Sequence, residues 1–221
     1  MKKSTDFTLG LFVFDVITDI LVVFILVQLI KMYVFAPFKV HGPSMCDTFN
    51  VYNDECYNGD GEFILVSKFP VDAFFGWSLG EIGRGDVIVF QAPDQPAGEY
   101  YIKRVIGVPG DDIKIANGFV YIKNPEGDYN KLNESYLNNE NFGQTIPYRV
   151  SQEEFSVPDG QYFVMGDNRR KSSDSRRCFR QLGCDADSSP YLEFSAIQGV
   201  VKVVVFPVTH FRYVGRPDYS I

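Results

Sequence analysis

The fold is best read from the stretch Ile113-Lys114-Ile115-Ala116-Asn117-Gly118-Phe119-Val120-Tyr121-Ile122. Two short runs rich in β-branched and aromatic residues flank an Asn-Gly pair. Asn-Gly readily adopts the positive φ angles of a type I′ turn, which joins antiparallel strands. The stretch therefore predicts a β-hairpin.

The same pattern of short apolar runs continues on both sides of this hairpin. Turn residues such as Arg84-Gly85-Asp86, Pro109-Gly110-Asp111 and Pro158-Asp159-Gly160 bound the runs, as is typical of strands. The runs cover residues 63–66, 87–90, 100–106, 162–165 and 200–206. Because no long helical period occurs after the N-terminal segment, we predict a mainly β protein with an antiparallel sheet.

Two segments interrupt the strand pattern. Residues 124–143 are rich in Asn, Glu, Gly and Tyr and lack regular apolar spacing. We therefore predict a small β-hairpin cap insertion over about residues 112–158. The other segment, residues 68–83, contains four large aromatic residues: Phe69, Phe74, Phe75 and Trp77. They form either a small satellite core or an edge in the lipid interface, where Trp is favoured.

An apolar segment near the N-terminus predicts a membrane anchor. Residues 9–30 are mostly Leu, Ile, Val and Phe, and a helix of this length spans a hydrocarbon core of about 30 Å. Asp15 and Asp19 lie four residues apart and share one helix face. The Lys2-Lys3 pair before the span favours a cytoplasmic N-terminus. The run is too long for a cleaved signal peptide, which indicates an uncleaved signal anchor.

Charge and cysteine content narrow the classes of protein and site. The net charge of −7 and the lack of a basic stripe argue against nucleic-acid binding. The four cysteines form two sequence-local pairs without CxxC spacing, so a zinc site is disfavoured and no metal is expected. Disulfides Cys46–Cys56 and Cys178–Cys184 fit an oxidising compartment better, and four free thiols are the alternative.

The first candidate for a catalytic residue is a serine that directly follows a Gly-Pro pair at the end of an extended run. Ser44 follows Gly42-Pro43, and a serine hydroxyl needs an adjacent base to become a nucleophile. Neither histidine, His41 or His210, lies in a recognisable Ser-His-Asp frame. Lys103 shares a strand face with Tyr101 by alternation, and burial would lower the pKa of its ammonium. From these residues alone, His41 and Lys103 both remain candidate bases.

Several motifs in fixed order resemble one family. They are Gly42-Pro43-Ser44-Met45, the runs at 84–89 and 101–111, and Met165-Gly166-Asp167-Asn168-Arg169 with Ser172, Asp174, Ser175 and Arg176. Together they resemble the motif set of bacterial type I signal peptidases, also called leader peptidases. The endoplasmic-reticulum type has histidine where Lys103 stands, so the bacterial or organellar kind is the better match.

The resemblance implies a Ser/Lys dyad. Ser44 would be the nucleophile, Lys103 the general base, and the Ser44 N–H part of the oxyanion hole. Some members of the family place a serine hydroxyl two positions before the nucleophile, but Gly42 stands there in this chain. The family usually has a proline three positions after the nucleophile, where this chain has Asp47.

The resemblance also implies supporting residues around the dyad. Ser172 would orient the Lys103 ammonium, with Ser173 as its rival if the alignment shifts by one. Two ion pairs would hold the surrounding structure: Asp174 with Arg176, and Arg104 with Asp167.

The predicted mode of substrate binding rests on the way an extended peptide pairs with exposed strand edges and on the resemblance. An extended signal-peptide C-region can pair with the strand edges before the serine and before the lysine. Shallow S1 and S3 pockets in the family admit small residues, which implies cleavage after Ala-X-Ala. The matching positions, for which simple core packing is the alternative, are Phe38, Val40, Met45, Phe49, Tyr101 and Ile102.

These features lead to one prediction and two alternatives. Residues 1–37 would be a cytoplasmic tip and transmembrane signal anchor, and residues 38–221 a catalytic β domain on the extracytoplasmic face of the bacterial cytoplasmic (inner) membrane. We expect a single-pass, monomeric serine endopeptidase that needs no cofactor. It would contact membrane lipid and bind the signal peptides of preproteins. The alternatives are a pilin-processing peptidase with the same dyad and a non-catalytic membrane-anchored binding protein.

Overall fold

The structure, a computed structural model, describes residues 2–53, 55–68, 82–93, 96, 98–148 and 152–219, with side chains from residue 12 onward. The predicted aromatic cluster of Phe69, Phe74, Phe75 and Trp77 lies outside the described residues.

One long helix precedes the sheets. Helix α1 (Lys2–Tyr33) contains a stretch, Phe12–Tyr33, that is the one segment among the described residues long and apolar enough to cross a membrane. Its side chains from residue 12 onward are exposed. The first strand begins at Phe35, so the sheet starts three residues before the boundary predicted after residue 37.

The remainder is predominantly antiparallel β structure, which confirms the predicted fold class. The large sheet consists of β1 (Phe35–His41), β4 (Asp60–Ser67), β5 (Val87–Gln91), β6 (Tyr100–Gly107), β11 (Gln161–Met165), β12 (Leu192–Glu193), β13 (Ile197–Phe206) and β14 (Arg212–Tyr213). A second sheet consists of β7 (Asp112–Ala116), β8 (Phe119–Lys123), β9 (Tyr129–Lys131) and β10 (Glu154–Ser156). A short ribbon is formed by β2 (Val51–Tyr52) and β3 (Glu55–Cys56).

Strand order and partial pairing leave two open strand segments in the large sheet, at β1 and at the start of β6. The order is β1-β4-β13-β5-β6-β11-β12, with β14 beside β13. Strand β1 is therefore at the edge of the sheet. Strand β11 pairs with β6 only from Arg104 to Gly107, so in the described chain the segment 100–103 of β6 has a strand partner on one side only. Both edges are available to an added strand.

The hairpin predicted from Asn-Gly is confirmed. Ala116 pairs with Phe119, and Asn117 and Gly118 have φ angles of 53° and 87°. Strands β9 and β10 extend this hairpin to four strands. The sequence pattern does not predict these two strands, because each is only three residues long and largely polar. The whole second sheet lies within the cap predicted over about residues 112–158.

Three apolar clusters hold the elements together. The cap buries its inner face, with Ile113, Ile115 and Val120, against Ile106 and Phe163 of the large sheet. Two further clusters lie on β5 and β6. Val89 and Ile102 belong to one of them, and Phe90 and Val105 to the other. Neighbouring residues of one strand thus face different cores, as strand alternation requires.

All four cysteines are paired as the sequence favoured. Cys46 is bonded to Cys56 and Cys178 to Cys184, with Cα–Cα distances of 5.5 Å and 5.0 Å. The first bridge ties the segment after β1 to β3, and the second closes a loop after the 3₁₀ turn Ser175–Arg177.

Candidate active site

A tight turn after β1 presents Ser44. Gly42 has a φ angle of +79°, a left-handed conformation that favours glycine, and it directs the chain away from the sheet edge. Cys46 N–H then donates to Pro43 O at 3.1 Å, and Asn168 N–H donates to Ser44 O at 3.1 Å. The turn is therefore fixed to the loop after β11.

Lys103 reaches this serine from β6. Its Nζ donates to Ser44 Oγ at 2.9 Å and to Ile102 O at 2.9 Å, and the residue is only 3% exposed. The Tyr101 ring centroid lies 5.3 Å from Nζ. His41 lines the same groove, but of the two candidate bases Lys103 is the one that contacts the serine hydroxyl.

Burial changes the acidity of this lysine. Desolvation lowers the pKa of Lys103 to about 8, although the charges of Asp174 and Asp167 act in the opposite direction. Roughly a tenth of the side chain is thus neutral at pH 7 and about half at pH 8, and a neutral amine can accept a proton from a hydroxyl. The contact between Nζ and Oγ is the geometry that such a transfer needs.

The pair opens into a groove of about 410 Å³ between the edges of β1 and β6. Four of the six predicted substrate-binding residues line it: Phe38, Val40, Tyr101 and Ile102. The other two, Met45 and Phe49, are buried at 1% and 0% exposure in the core cluster next to the groove. Ile64 and Val89, which the sequence did not single out, complete the apolar lining.

The loop after β11 is held by a buried ion pair. Arg176 donates from Nε and Nη2 to Asp174 at 2.9 and 2.8 Å, as predicted for this pair. Gly166 N–H donates to the same carboxylate at 3.0 Å. Burial alone would raise the pKa of Asp174, but the charge and hydrogen bonds of Arg176 lower it overall. Asp174 is therefore an anion that fixes the loop.

Ser172 and Ser173 occupy different positions around the Ser44–Lys103 contact. Ser172 is buried and its hydroxyl helps to lower the pKa of Asp174, while Ser173 lines the groove beside Ser44. A Cβ at Gly166 would lie 2.3 Å from Ser172 Oγ and 2.4 Å from Ser44 O, so glycine is required there. Ser172 is thus packed against Gly166, which itself lies against Ser44 O, and the orienting role of Ser172 toward Lys103 stays a prediction.

A second buried ion pair links β6 to the serine turn. Arg104 donates from Nε and Nη2 to the Asp167 carboxylate at 2.9 and 2.7 Å. Thr48, four residues after Ser44, donates to Asp167 at 2.5 Å and accepts from Arg104 at 2.9 Å. The predicted pairing of Arg104 with Asp167 is therefore present, and Thr48 links the pair to the turn that contains Ser44.

The cap contributes a network that sequence reasoning missed. Glu134 accepts from the buried Arg169 guanidinium, which also donates to Thr145 Oγ1 at 2.6 Å and to Gly166 O at 3.1 Å. The sequence held no signal for it, because Glu134 lies in an irregular, polar segment. The cap is consequently attached to the same loop that packs on Ser44.

Asp47 forms the other attachment of the cap. Its carboxylate accepts from Asn138 N–H at 3.0 Å and from Asn141 Nδ2 at 3.0 and 3.1 Å. Its φ angle is 139°, which proline cannot adopt. The departure from the family's proline thus coincides with a contact to the insertion. Desolvation raises the pKa of Asp47 to about 6 despite these hydrogen bonds.

The raised pKa of Asp47 leads to a prediction of how the stability of the protein depends on pH. This pKa rises from 3.8 in the unfolded chain to about 6 in the folded chain. The unfolded state therefore loses its proton first, and wild type should lose stability relative to Asp47→Asn as pH rises from about 4 to about 6. Chemical unfolding of both proteins across this range measures the difference.

A matched control comes from Asp112, whose pKa is lowered by hydrogen bonds from Ser156 and Lys123. Asp112→Asn should show the opposite sign, with wild type gaining relative stability as pH rises. The assignment of a raised pKa to Asp47 would be contradicted if the difference in the free energy of unfolding between wild type and Asp47→Asn did not change with pH.

Comparison with known proteins agrees with this geometry. The family profile described as "Signal peptidase, peptidase S26" matches residues 13–206. Signal peptidase I S of Bacillus subtilis (strain 168) is 34% identical over 198 residues, which cover 87% of this chain and 89% of that protein. Signal peptidase I of Bacillus licheniformis is 29% identical over 214 residues, covering 96% and 97%. The chain therefore belongs to the signal peptidase family S26.

Proposed function

We propose that this protein is a membrane-anchored serine endopeptidase that removes N-terminal signal peptides from exported preproteins after an Ala-X-Ala sequence. The observation that carries the proposal is the 2.9 Å contact between Lys103 Nζ and Ser44 Oγ at the end of an apolar groove. The lowered pKa of Lys103, about 8, supports its role as a base.

The chemistry uses this pair in two stages. Neutral Lys103 takes the proton of Ser44 as Oγ attacks the scissile carbonyl carbon, and the ammonium then gives that proton to the leaving amine. Lys103 then takes a proton from a water molecule that attacks the resulting ester, and it returns this proton to Ser44 Oγ as the ester bond breaks. No hydrogen bond among the described residues uses the Ser44 N–H as donor, which leaves it available to the oxyanion.

The supporting residues act through position. The pairs Asp174–Arg176 and Arg104–Asp167 fix the two loops that meet at Ser44. Ser172, which is buried beside Gly166 and interacts with Asp174, would hydrogen-bond the Lys103 ammonium once the lysine moves away from the serine. Because Gly42 has no side-chain donor, the oxyanion hole depends on the backbone.

The substrate would bind as an extended strand between the edge of β1 and residues 100–103 of β6. Added strands gain main-chain hydrogen bonds along such edges. Phe38, Val40 and Ile102 would form the small apolar pockets for the residues one and three positions before the scissile bond.

The anchor places this chemistry at a membrane. We infer a single pass through the bacterial cytoplasmic membrane by Phe12–Tyr33, with the N-terminus inside and the sheets outside. Both disulfides fit an extracytoplasmic location. We expect a monomer in contact with lipid.

A peptidase dedicated to pilin precursors would carry the same dyad. Cleavage of several unrelated preproteins, followed by mass spectrometry of the products, separates a general enzyme from a dedicated one. The intact dyad and groove count against the non-catalytic alternative.

The pH profile of cleavage tests the dyad. Only neutral Lys103 can accept the serine proton, so kcat/KM should rise with pH, about tenfold per unit, until it levels near the pKa of about 8. The profile is measured on one Ala-X-Ala preprotein in detergent micelles.

His41→Gln provides the control, since His41 lines the groove and is the other candidate base. The rise toward pH 8 should persist in this variant. A pH dependence of kcat/KM that is present in wild type and lost in His41→Gln would assign the base to His41 instead.

A further inference from the structure

The active-site groove continues past the dyad into a second cavity. This cavity has a volume of about 640 Å³ and lies along the loop closed by the Cys178–Cys184 disulfide. Tyr101 and Ser173 line both the groove and the cavity. The two spaces are therefore adjacent, and a chain bound in the groove passes the mouth of the cavity.

The loop that forms the outer wall is held in place. Cys178 and Phe179 have φ angles of 49° and 61°, which reverse the chain after the 3₁₀ turn. Phe179 is 2% exposed, and its ring centroid lies 5.6 Å from that of Phe90. Tyr148 Oη donates to Leu182 O at 2.6 Å. The disulfide, the buried ring and this hydrogen bond preorganise the loop.

Strand alternation decides which substrate side chain meets this cavity. Ile102 packs on the core cluster that contains Val40 and Val89, on the apolar side of the groove. Tyr101 packs on the other cluster, with its ring centroid 6.2 Å from that of Phe90. A strand added beside β6 points successive side chains to these two sides in turn.

The first and third residues before the scissile bond would therefore face the apolar side. The second residue would face the side of Tyr101, Ser173 and the disulfide loop. This is the middle residue of Ala-X-Ala, which small pockets for its neighbours leave unspecified.

We propose that the loop closed by Cys178–Cys184 forms a binding subsite for the side chain two residues before the scissile bond, and that it favours an aromatic residue there. The inference rests on the proposed function and adds a specificity to it. Three surrounding groups suit an aromatic ring: the Tyr101 ring, the Leu182 side chain and the Arg180 guanidinium.

The size and chemistry of these groups support this choice. The Leu182 side chain, 91% exposed, offers apolar surface to a ligand. Arg180 is paired with Asp185, and a guanidinium stacks on aromatic faces. A glycine at the middle position would leave all three contacts unmade, whereas phenylalanine would cover them.

The test uses the full-length chain in detergent micelles with one preprotein carrying Ala-Phe-Ala or Ala-Gly-Ala at the cleavage site. We expect wild type to show a kcat/KM ratio of about threefold or more in favour of phenylalanine. In Leu182→Gly, in Arg180→Ala and in the double variant Cys178→Ser/Cys184→Ser the ratio should fall toward one. Taking the ratio within each protein cancels any general loss of folded enzyme.

Tyr213→Ala is the matched control, because Tyr213 is 82% exposed on β14 and does not line the groove or the second cavity. Its ratio should equal that of wild type. A second substrate pair places phenylalanine or glycine directly after the scissile bond, where the loop variants should not alter the ratio.

The outcomes separate the two proposals. The subsite proposal is overturned if wild type cuts both preproteins with equal kcat/KM, or if the loop variants keep the wild-type ratio of kcat/KM values. The proposed peptidase function would stand in either case. Loop variants that change the preference after the scissile bond instead would also overturn the subsite proposal. Wild type that cuts neither preprotein would refute the proposed function itself.

Discussion

Replacing Lys103 by alanine should lower kcat/KM for an Ala-X-Ala preprotein by at least about 10³-fold. Lys103 Nζ is 2.9 Å from Ser44 Oγ, and no second base contacts this hydroxyl in the described chain. Without the amine the serine remains protonated and a weak nucleophile. Initial rates of preprotein cleavage at pH 8 measure the effect.

Ser44→Ala should cause a loss of the same size, and the double variant Ser44→Ala/Lys103→Ala should be no worse than either single one. Groups that act as one unit show this non-additivity. Lys123→Ala is the matched control, since its side chain is 40% exposed in the cap. A Lys103→Ala protein that retains a tenth or more of wild-type activity would refute the dyad.

Asp167→Ala should lower the free energy of unfolding by about 3–5 kcal/mol. Asp167 and Arg104 are 0% and 2% exposed, and removing the carboxylate leaves a buried guanidinium without its anion. Thr48 also loses its acceptor, so the turn after Ser44 loosens. Chemical unfolding gives the free energy, and residual cleavage reports the effect on the turn.

Asp112→Ala provides the matched control, because its pair with Lys123 is 36% and 40% exposed and should contribute less than about 1 kcal/mol. The apolar double variant Arg104→Met/Asp167→Leu should be more stable than Asp167→Ala, since it leaves no unpaired charge. If Asp167→Ala and Asp112→Ala lowered the free energy of unfolding equally, the buried pair would have no special importance for stability.

The cap shows how a departure in sequence becomes a contact in structure. Read along the chain, Asp47 interrupts a family pattern, and residues 124–143 resemble a loop. In space Asp47 accepts hydrogen bonds from Asn138 and Asn141, which belong to that loop. The departure and the insertion therefore form one feature. No pattern local to either segment predicts a hydrogen bond between residues more than ninety positions apart.

Strand prediction succeeded where the pattern is local. The Asn117-Gly118 turn and the β-branched runs determine their own backbone conformation, and they lie in strands of the structure. The short strands Tyr129–Lys131 and Glu154–Ser156 were missed because they form by pairing with the hairpin, and their own residues favour strands weakly. The apolar span at the N-terminus was equally clear, since its length and composition suffice.

The sequence by itself determined the mainly β class, the apolar anchor segment and the candidate residues Ser44 and Lys103, because each depends on a local pattern or on motifs in order. It favoured the two disulfides over free thiols without deciding between them. Only the tertiary structure decided that Ser44 and Lys103 touch, that burial lowers the pKa of the lysine, and that Met45 and Phe49 are buried in the core cluster next to the groove. It also decided where the Cys178–Cys184 loop lies. These properties depend on distances and desolvation across the fold, which a linear pattern does not contain.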